Sequence, residues 1–454
     1  MPGPATDPML GRDNTLYALA VTVDPDFRGH GVGRALKRRL LERAAELTRD
    51  DGTPRYRHAT GRNRIPDASA MAHLNDSLGA YTVLEIPEAY DGEGTARYYR
   101  QPLGPFVVDA VGEPERGGPE VDLASGIARP FAEPPASLRA LAAGGLLYGP
   151  AVTKITVLNY LTPAIVRATE YVAALTPELP HAYMCSSRDE TLDKSVRALR
   201  WHRPEGNRVI GFEGGYVGHT TAAARSVSDP TTHRQGAPYF DWPRVPHPAD
   251  GVEVSVKALR DAIGDDPSKT LGLYLEPVQE RTGRTIPDDF WPALEALRAE
   301  TGVPVVFAET ASAYFRSGLG AFAYRGLSLT PDLMIWWTGG HLGFVHTTTA
   351  YRIAKPFTLV STWDGDELSL IQAHHQLRAA RHVDVAAASA ALDHALSGVE
   401  SSGLGAYRVI TAGADADALE AKGVRVKRFA NGHLGVAPAL DRAVDDANAL
   451  RAAL

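Results

Sequence analysis

Residues Val303 to Gly343 read VPVVFAETASAYFRSGLGAFAYRGLSLTPDLMIWWTGGHLG. Two apolar runs stand in this stretch, VPVVFAE at 303–309 and PDLMIWW at 331–337. Each has the length and the β-branched or aromatic content of a strand buried on both faces of a parallel sheet. Each runs into a polar or glycine-rich turn, and open α/β sheets place their ligands at such strand ends. The pattern predicts that the last two-thirds of the chain is a large α/β domain organised on this stretch.

The whole chain has 454 residues, which predicts two or three domains. Apolar residues make up 44% and charged ones 22%, an ordinary globular composition. A net charge of −7 gives no reason to expect a nucleic-acid partner. Cys185 is the only cysteine, so an intramolecular disulfide and a multi-cysteine zinc site are excluded. No metal centre is expected. No apolar run approaches the roughly 18 residues of a membrane span. The opening residues, MPGPATDPMLGRDN, lack the basic-then-apolar pattern of a signal peptide, and a cytoplasmic setting is expected.

Leu16 to Val23 (LYALAVTV) reads as a strand, Asp24 to Phe27 as a turn, and Arg28-Gly29-His30-Gly31-Val32-Gly33-Arg34 follows. Val32, Leu36, Leu40, Ala44 and Leu47 then recur at helical spacing, with Lys37, Arg38, Arg39 and Glu42 on other faces. The order is strand, glycine loop, helix. Glycines there let backbone N–H groups approach an anion, and the helix dipole adds to the attraction. The plain alternative is a strand-to-helix turn with no ligand.

VTVDPDFRGHGVGRALKRRLL (21–41) resembles the acyl-CoA-binding motif of GNAT acyltransferases. The continuation, Arg57 to Asn63 as a strand and Asp67 to Gly79 as a helix, resembles the mycothiol-synthase-like branch, on Thr60, Asn63, Asn75 and Gly79. The resemblance implies an acetyl-CoA or other acyl-CoA site at Val21, Val23, Arg28, Gly29, Gly31, Val32, Gly33, Arg34 and Asn63. Asn75 falls where many members carry a tyrosine acid; an amide cannot supply that proton, so Asn75 is a weak catalytic candidate. His30 and His58 read as surface or satisfied residues. Only the CoA-binding half of such a domain is legible, since the chain starts near its fourth strand.

In the large domain, Phe307 to Gly318 and Pro331 to His341 stand in the frame of class III aminotransferases, pyridoxal-phosphate (PLP) enzymes of fold type I. The resemblance implies that the aspartate holding the ring nitrogen is replaced by Ala308, the ring-packing glutamine by Ala311 and the Schiff-base lysine by Thr338. Ser187 to Arg200 matches the phosphate-binding segment, with Arg188-Asp189 in place of Gly-Thr. Tyr216 stands as a ring-stacking aromatic, Glu276 is retained within LYLEPVQ (273–279), which matches a further strand, and Thr362 matches a threonine that reaches the partner subunit's phosphate. A threonine forms no imine, so PLP is not expected to be held covalently. Lys355, 17 residues past Thr338, is the nearest lysine after the motif, and His341 is a candidate base for a lysine-free enzyme.

The resulting reading is α/β throughout: a partial GNAT module at 1–103, a Gly/Pro/Glu-rich linker at 104–143, a fold type I large domain at 144–372 with a mostly parallel sheet flanked by helices, and a small C-terminal α/β domain at 373–454 in which GVRVKRF (423–429) is a strand. Three functions fit. The first is a CoA-dependent acyltransferase acting on a small amine or amino-acid-like acceptor, with the second domain as acceptor site or dimer scaffold. The second is an enzyme using PLP or pyridoxamine phosphate non-covalently. The third is a silent scaffold. A homodimer is expected, with no nucleic acid and no membrane.

Overall fold

The structure is a computed structural model of the chain, and it describes residues 15–17, 23, 31–87, 94–103, 121–143, 147, 150, 162–233, 239–361 and 364–454. Two compact units divide the chain, 1–118 with 136–149, and 119–135 with 150–454.

The first unit contains β1 (Thr15–Tyr17), α1 (Val32–Glu46), β2 (His58–Ile65), α2 (Ser69–Ser77), β3 (Tyr81–Ile86), β4 (Thr95–Pro102) and α3 (Ala136–Ala143). Its sheet runs β1-β2-β4-β3, with β1 parallel to β2 and the other pairs antiparallel. The expected inward face of α1 is corrected here. Leu36 and Leu40 are exposed, while Lys37 and Ala44 are buried, so the helix is turned by about one residue from the purely apolar stripe. The reason is the amphipathic reach of lysine. The Lys37 stem lies inside, and its ammonium donates to the Tyr99 hydroxyl at 3.2 Å and sits 5.3 Å from that ring's centre. Burial lowers the Lys37 pKa.

The second unit opens with β5 (Val121–Asp122) and continues through α4 (Pro163–Ala174), β6 (His181–Cys185), α5 (Arg188–His202), β7 (Arg208–Phe212), α6 (Ala222–Val227), β8 (Arg244–Val245), α7 (Val252–Ile263), β9 (Thr270–Leu275), α8 (Phe290–Thr301), β10 (Val305–Ala308), β11 (Leu333–Trp337) and β12 (Gly343–Thr347). The sheet order is β6-β12-β11-β10-β9-β7-β8. It is parallel except for β12, which is antiparallel to both β11 and β6. The two runs that opened the sequence reading are the adjacent strands β10 and β11. Alternation along them sorts side chains to opposite faces: Val305, Phe307, Met334 and Trp336 enter one core, and Val306, Ala308, Leu333 and Ile335 the other. A sheet covered on both faces needs apolar residues at every position, and this is why the runs are continuous rather than alternating.

After α9 (Glu367–Ala380) and α10 (Val385–Ala395) come β13 (Glu400–Leu404), β14 (Tyr407–Ala412), α11 (Ala416–Ala421), β15 (Val424–Arg425), β16 (Lys427–Arg428), β17 (Leu434–Val436) and α12 (Ala443–Ala453). Strands β13-β14-β17-β16 form an antiparallel sheet. The expected strand 423–429 is two strands in different sheets, β15 beside β5 and β16 beside β17, while Val424 and Val426 stay buried in one core. The expected linker 104–143 also needs correction. Residues 121–135 belong to the second unit, since β5 pairs with β15 and Leu123 is fully buried with Leu392 and Ile410. Arg316, itself buried, ties the same segment down by donating to the carbonyls of Gly126 at 2.7 Å, Pro438 at 3.0 Å and Ala406 at 3.4 Å.

Candidate functional site

In the first unit, α1 begins at Gly31, whose φ of +79° is a left-handed value that glycine adopts without strain. Among the described residues, a Cβ built on Gly31 meets nothing within 4 Å and no side chain caps the helix, whose first turn carries no acidic residue. Its first amides therefore face outward without an intramolecular acceptor from a cap. Gly33 differs: a Cβ there would lie 3.4 Å from a Val23 methyl, an ordinary van der Waals contact, so this position packs close to Val23. Asn63 and Asn75 are brought together but inward. Both are buried, and the Asn75 amide donates to Asn63 Oδ1 at 3.2 Å, which removes Asn75 as a catalyst and Asn63 as an outward CoA contact. Val21, Arg28, Gly29 and His30, together with Thr362, lie outside the described residues.

The second unit holds a cavity of about 510 Å³ at the carboxyl ends of its central strands. Ser187, Arg188, Tyr216 and His341 line it. Ser187 caps α5, accepting from Glu190 N at 3.2 Å, and so fixes Arg188 as the first helical residue. The Arg188 guanidinium pairs with Glu280 at 2.8 Å and lies 5.3 Å and 5.0 Å from the ring centres of Tyr216 and Trp337. Arg281 approaches the same Glu280 at 3.5 Å and lies 3.7 Å from Tyr216 and 4.4 Å from Phe429. Burial works against the Glu280 carboxylate, but Arg188 and Arg281 outweigh it and hold its pKa below the usual range.

Glu276 stands behind this layer, accepting from Tyr216 N at 2.7 Å and Glu280 N at 2.9 Å; burial pushes its pKa up to about 8. The Tyr216 hydroxyl is 2.7 Å from His219 Nδ1. Asp189 turns its carboxylate onto backbone amides, accepting from Thr220 N at 2.7 Å and Thr221 N at 3.3 Å. It packs so closely on Gly218 that a Cβ there would lie 2.7 Å from it.

Ala308, Ala311 and Thr338 are buried beside the cavity rather than lining it. The Thr338 hydroxyl donates to Leu342 O at 2.8 Å, and its carbonyl accepts from Tyr314 at 3.2 Å. Lys427 is the one lysine among the described residues that lines the cavity. Lys355 is elsewhere, 6.0 Å from the Trp201 ring, in a separate hollow shared with Lys194 and Asp364. Lys194 donates to Met184 O at 2.9 Å and to the Asp364 carboxylate.

Glu280, Arg281, Trp337, Tyr407, Lys427 and Phe429 were not read from sequence as site residues. A charged Glu280-Arg281 pair just past a fully buried strand was the one local signal for two of them. Tyr407, Lys427 and Phe429 reach the cavity from the small domain, more than sixty residues from the motif, and nothing local marks them.

Comparison with known proteins agrees with this architecture. Residues 151–402 match the aminotransferase class-III family, and residues 5–53 match the acetyltransferase (GNAT) family. The chain is 22% identical over 334 residues to a probable mitochondrial 4-aminobutyrate aminotransferase of Caenorhabditis elegans, covering 68% of this chain and 64% of that protein. It is 23% identical over 232 residues to the L-lysine-epsilon aminotransferase of Mycobacterium tuberculosis, covering 44% and 51%. The chain thus spans less than two-thirds of these relatives. Among solved structures, the lysine aminotransferase of M. tuberculosis in its internal aldimine form superposes with a TM-score of 0.61 at 22% identity, over 68% of this chain and 83% of that one. An (S)-enantioselective omega-transaminase from Thermomicrobium roseum gives 0.63 at 18%, over 73% and 86%. At such identities the likeness is one of fold. Among the described residues, no helix is long and apolar enough to cross a membrane.

Proposed function

The chain belongs to the class III aminotransferase family, and from that premise we propose that it has left transamination: it is a CoA-dependent acyltransferase of the mycothiol-synthase-like branch, acting on a small amine or amino-acid-like acceptor. In this reading the first unit takes acyl-CoA on the glycine start of α1, and the class III unit serves as acceptor-binding unit and homodimer scaffold.

One contrast carries the reading. Among the described residues, the first amides of α1 have no side-chain cap and Gly31 stands open, as a pyrophosphate cradle requires. In the class III cavity the corresponding resources are already taken. Asp189 supplies its own carboxylate to the Thr220 and Thr221 amides, two guanidinium groups lie against Tyr216, and the strand end carries Thr338 instead of an amine. These residues do not fit a phosphate-bearing aromatic aldehyde cofactor.

A second reading, a class III enzyme holding PLP or pyridoxamine phosphate without an imine, is favoured by a single observation: the cavity has not closed. Calorimetry of the full-length protein separates the two. Saturable acetyl-CoA binding with no PLP heat is the expected result. PLP binding without any CoA heat at millimolar ligand would overturn the acyltransferase reading in favour of the second.

A further inference from the structure

Tyr216 is the middle member of a ladder that crosses the class III cavity: Trp337, Arg188, Tyr216, Arg281, Phe429. The successive guanidinium-to-ring separations are 5.0, 5.3, 3.7 and 4.4 Å. Guanidinium groups at these distances are attracted by the ring quadrupoles, more so when desolvated, and both arginine side chains are mostly buried. The ladder therefore fills the aromatic slot with side chains of the protein itself.

It also leaves donors unspent. A guanidinium carries five N–H groups. Among the described residues, Arg188 and Arg281 each approach one acceptor side chain, and it is the same one, Glu280. The buried Nε of Arg281 has no hydrogen-bond partner. An unpaired buried donor is costly, and the Arg281 side chain that carries it forms part of the cavity wall. The charges lining it are Arg188, Arg281 and Lys427 against Asp189 and Glu280, a surplus of one positive charge. Asp189 is engaged with backbone amides. The remaining walls are flat and apolar, with Trp337, Tyr407 and Phe429 among them.

We propose that this cavity binds a small planar monocarboxylate, its oxygens accepting from Arg281 and Lys427 and its flat body resting on the aromatic walls. A monoanion matches the single surplus charge. A dianionic phosphate overshoots it and meets Asp189 and Glu280. The proposal rests on the reading that the class III unit does not hold PLP, and it names what replaces it.

The test uses full-length protein and four probes: benzoate, its neutral isostere benzamide, inorganic phosphate and pyridoxal 5′-phosphate. Binding is read by calorimetry and by indole fluorescence. Benzoate is expected to bind at least about tenfold more tightly than benzamide or phosphate. Both residues of β16 are exposed, so Lys427→Gln leaves the fold intact; it should weaken benzoate several-fold without moving benzamide. Arg188→Gly removes one rung and should raise pyridoxal phosphate affinity by about tenfold or more. The proposal is overturned if benzoate binds no better than benzamide or phosphate, if Lys427→Gln leaves benzoate unchanged, or if Arg188→Gly leaves pyridoxal phosphate unchanged. Acetyl-CoA titration of the same samples keeps the outcomes separate: loss of CoA binding with benzoate intact removes only the acyltransferase reading.

Discussion

The indole N–H of Trp336 donates to Nε2 of His346 at 3.0 Å, in a core that excludes water from both rings. Because Nε2 accepts, the imidazole proton belongs on Nδ1, which faces the Thr176 hydroxyl at 3.2 Å. A second proton would point at an N–H donor. Burial accordingly lowers the His346 pKa to about 3. The folded pKa lies below the ordinary one near 6.5. As pH falls below that value the unfolded chain binds a proton that the folded chain refuses, so stability is lost progressively from about pH 6.5 to 3. The slope from one such group is at most about 1.4 kcal/mol per pH unit. Urea unfolding between pH 7 and 4 should show it, and a Trp336→Phe/His346→Leu double variant should lose about one proton of that dependence. An unchanged slope would refute the assignment.

Mixing the protein with pyridoxal phosphate should give no lysine-dependent visible absorbance band. The expectation follows from Thr338 at the strand end and from Lys355 lying by Trp201. A borohydride-sensitive band mapped to Lys427, the lysine that lines the cavity, or to Lys355 would sink it.

Gly31 and Gly33 should fail differently when replaced. Gly31→Ala and Gly31→Glu share the backbone strain of a left-handed residue, roughly 1–2 kcal/mol, but only the glutamate places a charge where the CoA pyrophosphate would lie. We expect both to fold and only Gly31→Glu to abolish CoA binding. Gly33→Leu should instead lower the melting temperature, because a Cβ there already touches Val23 at 3.4 Å and Leu74 at 4.0 Å and the larger side chain must crowd them. Arg28→Ala should weaken CoA by on the order of 1–3 kcal/mol, the range for a charge-assisted hydrogen bond. Equal CoA affinities for Gly31→Ala and Gly31→Glu would contradict the cradle.

Arg316→Met should destabilise the second unit by on the order of 3–5 kcal/mol, the scale for stripping partners from buried polar groups. The carbonyls of Gly126, Pro438 and Ala406 would lose their donor together. Denaturant unfolding measures this, and a loss under about 1 kcal/mol would show that other donors or water take over.

Phe357 is 79% exposed with a φ of +60°, and Val360 nearby is 38% exposed. Solvated phenylalanine in a left-handed conformation is doubly unfavourable, which supports its burial in the proposed homodimer. Light scattering at micromolar concentration should give a dimer mass, shifted toward monomer by Phe357→Asp. A wild-type monomer would count against it.

The fold was legible where one physical demand dominates a stretch. β10 and β11 had to be continuously apolar because both faces are covered. Reading failed where long-range pairing decides. Leu36 and Leu40 looked like the inner face of α1, but Lys37 can bury its stem and still find the Tyr99 hydroxyl, an option no periodicity count weighs. The linker was misjudged because Val121 and Asp122 become a strand only through β15, some three hundred residues on. One wall of the cavity was invisible for the same reason: Tyr407, Lys427 and Phe429 reach it only once the small domain has folded.

The backbone leaves the first unit after residue 118, visits the second for 119–135, returns for 136–149 and leaves again. Neither unit is therefore a continuous piece of polypeptide. A cut near 118 leaves α3 behind on the wrong fragment, and a cut near 150 strips β5 and Leu123 from the small domain's core. A fragment cut at either point lacks an element of its own unit. All three crossings fall between residues 53 and 151, in the stretch that neither family match covers.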